Sequence, residues 1–171
     1  MIKKILLGLL GIFVVIQFLP AEKNISDEQL FHVSKKYDVP TDVEAILKVA
    51  CYDCHSNKTE YPWYANVQPT AWWLADHVKD GKRRLNFSTF TSMKVAFQNH
   101  KFEEIGKEVE EKGMPISAYT YLGLHGGANL SDAQRQTLIK WAKTNMDSLQ
   151  VWYPADSLKM PPRPQGPPPP Q

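Results

Sequence analysis

The chain reads as an all-α protein of roughly five helices joined by long loops. Three observations predict this. Capping boxes led by serine or threonine recur ahead of apolar runs; those runs carry the helical period; and no stretch alternates apolar and polar residues as a half-buried strand would. At 171 residues there is room for one modest domain with tails, and no fixed period suggests a repeat architecture.

Lys3 and Lys4 precede an apolar run from Ile5 to Leu19 that only glycines and Gln17 interrupt, the pattern of an export signal. Leu19 stands where a simple signal-peptidase site needs a small side chain, so residues 1–21 are expected to remain as an anchor in the inner membrane. The run is short against the 17–25 residues of a typical span, and flanking residues would have to supply the rest. With the lysines cytoplasmic, everything after Pro20 falls on the periplasmic side of the cytoplasmic membrane. Cleavage near Ala21, leaving a soluble periplasmic protein, is the alternative.

Residues 22–153 form the expected domain. Ser26 to Gln29 has capping-box spacing and predicts a helix toward Tyr37, closed by Pro40. Thr41 to Glu44 repeats the signal, after which Val43, Ile46, Leu47, Ala50, Cys51 and Cys54 share one helical face. A third helix is predicted from Pro69 to Gly81, with Trp73, Leu74, His77 and Val78 on its inner stripe. A fourth passes through Phe102, Ile105 and Val109 and should stop at Gly113; the last begins at Ser131 and buries Leu138, Trp141 and Ala142. From Pro154 to Gln171 proline dominates, which predicts an extended, disordered tail.

A net charge of +2 with interspersed signs lacks the one-sided basic patch of a nucleic-acid binder, so no nucleic acid is expected as partner. The chemistry concentrates in Cys51-Tyr52-Asp53-Cys54-His55, a C-x-x-C-H sequence. Two thiols one helical turn apart can add to the two vinyl groups of one haem, and the next residue offers an imidazole to the iron. A structural zinc site would need further cysteines or histidines in paired clusters, and this chain has only these two cysteines. A thioredoxin-type pair would follow a strand, whereas a capped helix precedes Cys51. A structural disulfide leaves His55 without a role.

From Cys51 through Trp141 the sequence resembles the haem-binding domain family of bacterial c-type cytochromes. The resemblance is carried by Cys-Tyr-Asp-Cys-His-Ser-Asn, Tyr61-Pro62-Trp63-Tyr64, Trp72-Trp73-Leu74 with His77, Leu85-Asn86-Phe87-Ser88, Met114-Pro115 and the Leu130-Ser131 helix start. It implies haem binding and electron transfer. The order of motif helix, Met-Pro loop and closing helix is also similar to the small monohaem cytochrome c plan, a helical domain around one covalent haem c.

Met114 is the expected second axial ligand of the iron: it follows a helix-ending glycine, and Pro115 biases it toward an extended loop from which a thioether can reach a crevice. His77 is the alternative and would give a bis-histidine site of lower potential. The aromatic set Tyr61, Trp63, Trp72, Trp73, Tyr119 and Trp141 could wall the haem, and Lys82, Arg83 or Arg84 could pair with a propionate. The function expected is an electron carrier working with a redox protein partner; a ligand sensor or peroxidase-like enzyme with an open or bis-His site is the alternative.

Overall fold

The structure is a computed structural model that describes residues 1–121 and 125–161. Among the described residues the seven α-helices are α1 (Ile2–Ile16), α2 (Thr41–Ala50), α3 (Tyr52–His55), α4 (Thr70–Arg84), α5 (Val95–Glu110), α6 (Ser117–Thr120) and α7 (Asp132–Trp152). No strand occurs among the described residues, only an isolated bridge between Ile25 and Lys58. The class is all-α.

The main core lies where α5 and α7 pack on α2 and on the 3-10 turn Phe87–Ser92. Phe102 meets Tyr37 edge-on at 4.8 Å and Trp141 at 5.4 Å, and Phe87, Phe90, Leu138 and Leu149 fill the space around them. Edge-to-face rings of this kind add about 0.5–1.5 kcal/mol each beyond the area they bury. Trp141 satisfies its indole by donating to the Asp38 carbonyl at 2.8 Å. A second, smaller cluster of Ala65, Leu74 and Val78 lies between α4 and the turn Trp63–Asn66, with Cys54 and Tyr61 against it.

The capping box at Ser131 forms in full, with the Ser131 hydroxyl accepting from Gln134 N–H and the Gln134 amide accepting from Ser131 N–H. Those expected at Thr41 and Ser26 do not: Thr41 is already inside α2, whose N-cap is Pro40 with no side-chain cap. Ser26 N–H donates to Asn57 O at 3.0 Å and Thr59 N–H to Asn24 O at 3.0 Å, so the segment is tied to the loop after the motif and only the turn Val33–Lys35 coils. Long-range hydrogen bonds override a local signal worth about 1 kcal/mol. The expected helix through both cysteines is likewise interrupted: Cys51 leaves helical geometry at φ −129°, separating α2 from α3.

Gly81 does not stop its helix. α4 continues three residues further, and a Cβ on Gly81 would lie 2.6 Å from the backbone oxygen of Cys54. The glycine is there for close approach of α4 to α3. Alanine is the better helix former by about 1 kcal/mol, yet Gly81→Ala should destabilise the protein by about 1–3 kcal/mol, because backbone cannot yield as a side chain can. Urea denaturation checks this, and a stabilised variant would refute the close-approach reading. At the end of α5 the left-handed residue is Lys112, at φ 58°, and not the expected Gly113.

α1 is 15 residues long and none of its side chains is buried. Among the described residues no helix is long and apolar enough to cross a membrane. Beyond Trp152, the turn Ala155–Leu158 returns Leu158 to the main core, so packing continues past the point where composition turns proline-rich. Of the tail expected from 154 to 171, residues 162–171 lie outside the described residues.

Candidate functional site

The break at Cys51 sets the motif between the two cores. Cys51 packs against the main core and Cys54 against the smaller one. Between α2, α5, α7 and the end of α4 runs a cleft of about 200 Å³ that opens to solvent. Its apolar walls include Leu47, Phe87, Ile105 and Leu138, and it is also lined by Cys51, His55 and Met114. Three of the expected site residues, two from the motif and one from the loop after α5, therefore share one cavity.

His55 is held from behind. Its Nδ1 lies 3.0 Å from the carbonyl oxygen of Gly81 and 3.0 Å from that of Leu85, both at the end of α4. Carbonyl oxygens only accept, so Nδ1 carries the proton and the lone pair is on Nε2. Burial holds the imidazole below its ordinary pKa, outweighing the two carbonyls that favour its charged form. The ring is neutral at pH 7, with its orientation and tautomer fixed as a metal-ligating histidine requires.

The thiols are pushed the other way from a redox dithiol. Burial raises Cys51 to about 12, with the neighbouring thiol second, and Cys54 to about 11, with Asp53 second. A working thioredoxin-type pair has a depressed thiol pKa. The two cysteines are not joined by a disulfide, and the described residues contain no cluster of three or more His, Cys, Asp or Glu placed to hold a metal ion. Cys54 does not line the cleft; it sits beside Gly81, between the motif turn and α4.

Met114 is set by its backbone. Gly113 and Met114 N–H both donate to Glu108 O, at 2.9 and 3.1 Å, and Arg135 Nη1 donates to Met114 O at 2.9 Å and to Val109 O at 3.0 Å. Arg135 is nearly fully buried on α7. It ties the last turn of α5 to the Met114 loop, a task no spacing in the sequence announced. Arg135→Met keeps the length and leaves the Met114 carbonyl unpaired and that of Val109 with only the longer bond from Lys112 N–H, so a loss of about 1–3 kcal/mol is expected. Chemical denaturation measures it; no loss would show that solvent replaces the guanidinium.

His77 is misplaced by the sequence reading. The inward stripe of α4 is Ala71, Leu74 and Val78, with Gly81 continuing it, and His77 lies a third of a turn off it. Its ring packs tilted against that of Trp73 at 4.1 Å, its Nδ1 pairs with Trp73 O at 2.8 Å, and it takes no part in the cleft. The expected aromatic wall is also corrected. Trp141 belongs to the main core, Trp63, Trp72 and Trp73 are exposed, and Phe87 is the ring that lines the cleft.

Of the three basic candidates Arg84 alone reaches the cleft, joined by Lys101, while Lys82 bonds Asn24 and Arg83 pairs with Asp80. Glu104 and Glu108 share that rim. The intervening motif residues are pins. Tyr52 donates to Glu44 Oε2 at 2.8 Å, and Asp53 accepts from Glu60 N–H at 2.8 Å and from Tyr119 at 2.7 Å. Tyr119 stacks on His125 at 4.0 Å, so the Met114 loop is also tied to the motif from its far side.

These residues fit a haem. A neutral imidazole with Nε2 free, a thioether and a thiol meet in an apolar cleft with Arg84 at its rim, the donor types that hold haem iron and its substituents. The fold and cleft define a small all-α cofactor-binding protein. The chain belongs to the Haem-binding domain family, whose model matches residues 11–144. No curated protein and no solved structure matches it.

Proposed function

We propose that the protein is an exported monohaem c-type cytochrome that carries electrons, held at the periplasmic face of the cytoplasmic membrane by its N-terminal segment. The observation that carries this reading is the fixed Nδ1–H tautomer of His55, which leaves Nε2 in the cleft that Cys51 and Met114 also line. Cys51 and Cys54 would hold the haem through thioethers, with His55 as one axial ligand and Met114 as the other.

Bound haem would supply a one-electron Fe(II)/Fe(III) couple. The chain's own residues do the rest. The end of α4 orients His55; Arg135 and the Glu108 carbonyl position Met114; Leu47, Phe87, Ile105 and Leu138 exclude water; Arg84 places a guanidinium at the mouth, where a carboxylate would be favoured, while Lys101 there is paired with Glu104. α1 would anchor the chain, with Lys3 and Lys4 on the cytoplasmic side.

One observation favours a second reading. Glu104 and Glu108 line the cleft with Met114, so loss of the sulfur ligand would leave carboxylates near an open site suited to a ligand sensor or peroxidase-like enzyme. The reduced protein's visible spectrum tests both, together with carbon monoxide addition. A low-spin haem c spectrum that carbon monoxide leaves unchanged is the expected result. Ready carbon monoxide binding by the wild type would replace the carrier with the sensor or peroxidase.

A further inference from the structure

Three of the aromatic residues expected to wall the cleft, Trp63, Trp72 and Trp73, are exposed to solvent instead. Trp63 is 76% exposed and Tyr121 69%, and they line one groove with the half-exposed Trp73, while Trp72 is the adjoining residue on the first turn of α4. Large rings usually remove much of their surface from water, and a contiguous exposed set marks a contact surface.

The exit of α1 lies against it. Gln68, buried between the two, donates its N–H to Gln17 Oε1 at 2.9 Å and its Nε2 to Leu19 O at 2.8 Å; Gln17 Nε2 donates back to Gln68 O at 3.3 Å. Trp72 Nε1 adds a fourth bond, to Leu19 O at 3.0 Å. The apolar helix thus meets the domain with no free linker, and the exposed Phe18 and Leu19 continue its surface onto Trp72.

Length then decides where the bilayer surface falls. Fifteen helical residues extend about 22 Å at 1.5 Å per residue. The hydrocarbon core is about 30 Å thick. A helix this short, bonded directly to the domain, can reach across only if the residues around its exit also enter the interface. Indole and phenol rings are the side chains that favour that depth.

We propose that the face carrying Trp63, Trp72, Trp73 and Tyr121 is a membrane-contact surface, seated at headgroup depth in the same bilayer that holds α1. The inference rests on the anchored reading given above. The contact is aromatic rather than electrostatic, because Lys79 and Lys82 alternate with Asp76 and Asp80 along the neighbouring turns of α4. It also keeps the cleft clear of lipid. Arg84 and Leu85 lie about 20 Å along α4 from Trp72, by the same helical rise.

Hydroxyl-radical footprinting tests this on the full-length, haem-loaded protein, with one chain in each nanodisc of mixed phosphatidylcholine and phosphatidylglycerol. Trp152 is the internal control, being 53% exposed at the end of α7 and therefore expected to oxidise more slowly than Trp63 in solution. In the disc the order should invert, with Trp63 oxidised several-fold more slowly than Trp152, and with Trp73 and Tyr121 protected too. If the protein stays in the disc and Trp63 oxidises as fast as Trp152 or faster, the contact surface is overturned while the anchor stands. If the protein separates from the discs during purification, the anchored reading fails and takes this inference with it.

Discussion

Cys51→Ala combined with Cys54→Ala will give a chain that carries no haem under denaturing conditions, whereas the wild type from a strain able to attach haem will carry the mass of one. The geometry makes the single variants informative. Cys51 lines the cleft and Cys54 sits beside Gly81 against the smaller core, so each thiol reaches the motif from a different side. Either single variant keeps one thiol for attachment, and a fraction of it should retain covalent haem. Both thiols are uncharged at neutral pH, because burial raises them to about 12 and about 11. Left unmodified they resemble inert buried cysteines rather than a redox pair. Intact-mass spectrometry decides the matter. A wild-type chain at the bare mass would sink the c-type assignment, and so would a double variant that still holds haem after denaturation.

The sequence exposed this site unevenly, and the reasons are local. C-x-x-C-H is contiguous, and its meaning depends on residue types and spacing that packing cannot move. Met114 was legible through Pro115, which restricts its backbone. The capping box at Ser131 formed because nothing competed with it, whereas the one at Ser26 lost to hydrogen bonds from residues about 30 positions away. His77 was misread for a different reason. Periodicity places a residue on a helix but not at an angle finer than a third of a turn, and Trp73 and His77 lie beyond the buried stripe. Arg135 and Tyr119 act through contacts with backbone and with Asp53 far away in sequence, which no local pattern can signal. Gly81 looked like a stop because a glycine after an apolar run usually is one. Here the space it leaves belongs to Cys54.

Met114→Leu will separate the carrier from the open-site alternatives, because leucine keeps the volume and the apolar surface and removes only the sulfur. The loop that presents the residue is held by main-chain bonds to Glu108 and Arg135, which the substitution leaves in place. Any change then reports ligation rather than collapse. The ferric wild type should show the weak red absorption band of a thioether-bound haem c, and the variant should lack it. Its reduction potential should fall, since a soft ligand that favours Fe(II) has been lost. Exogenous imidazole or cyanide should bind at least ~10-fold more tightly, about 1.4 kcal/mol, because no protein ligand remains to be displaced. His77→Ala should change none of the three, its ring being packed against Trp73 outside the cleft. A band that survives in Met114→Leu would assign the sulfur to another methionine. A wild type with no band and open coordination would make the two rim glutamates, Glu104 and Glu108, the next residues to replace, and the reaction at the site would be ligand binding or peroxide chemistry.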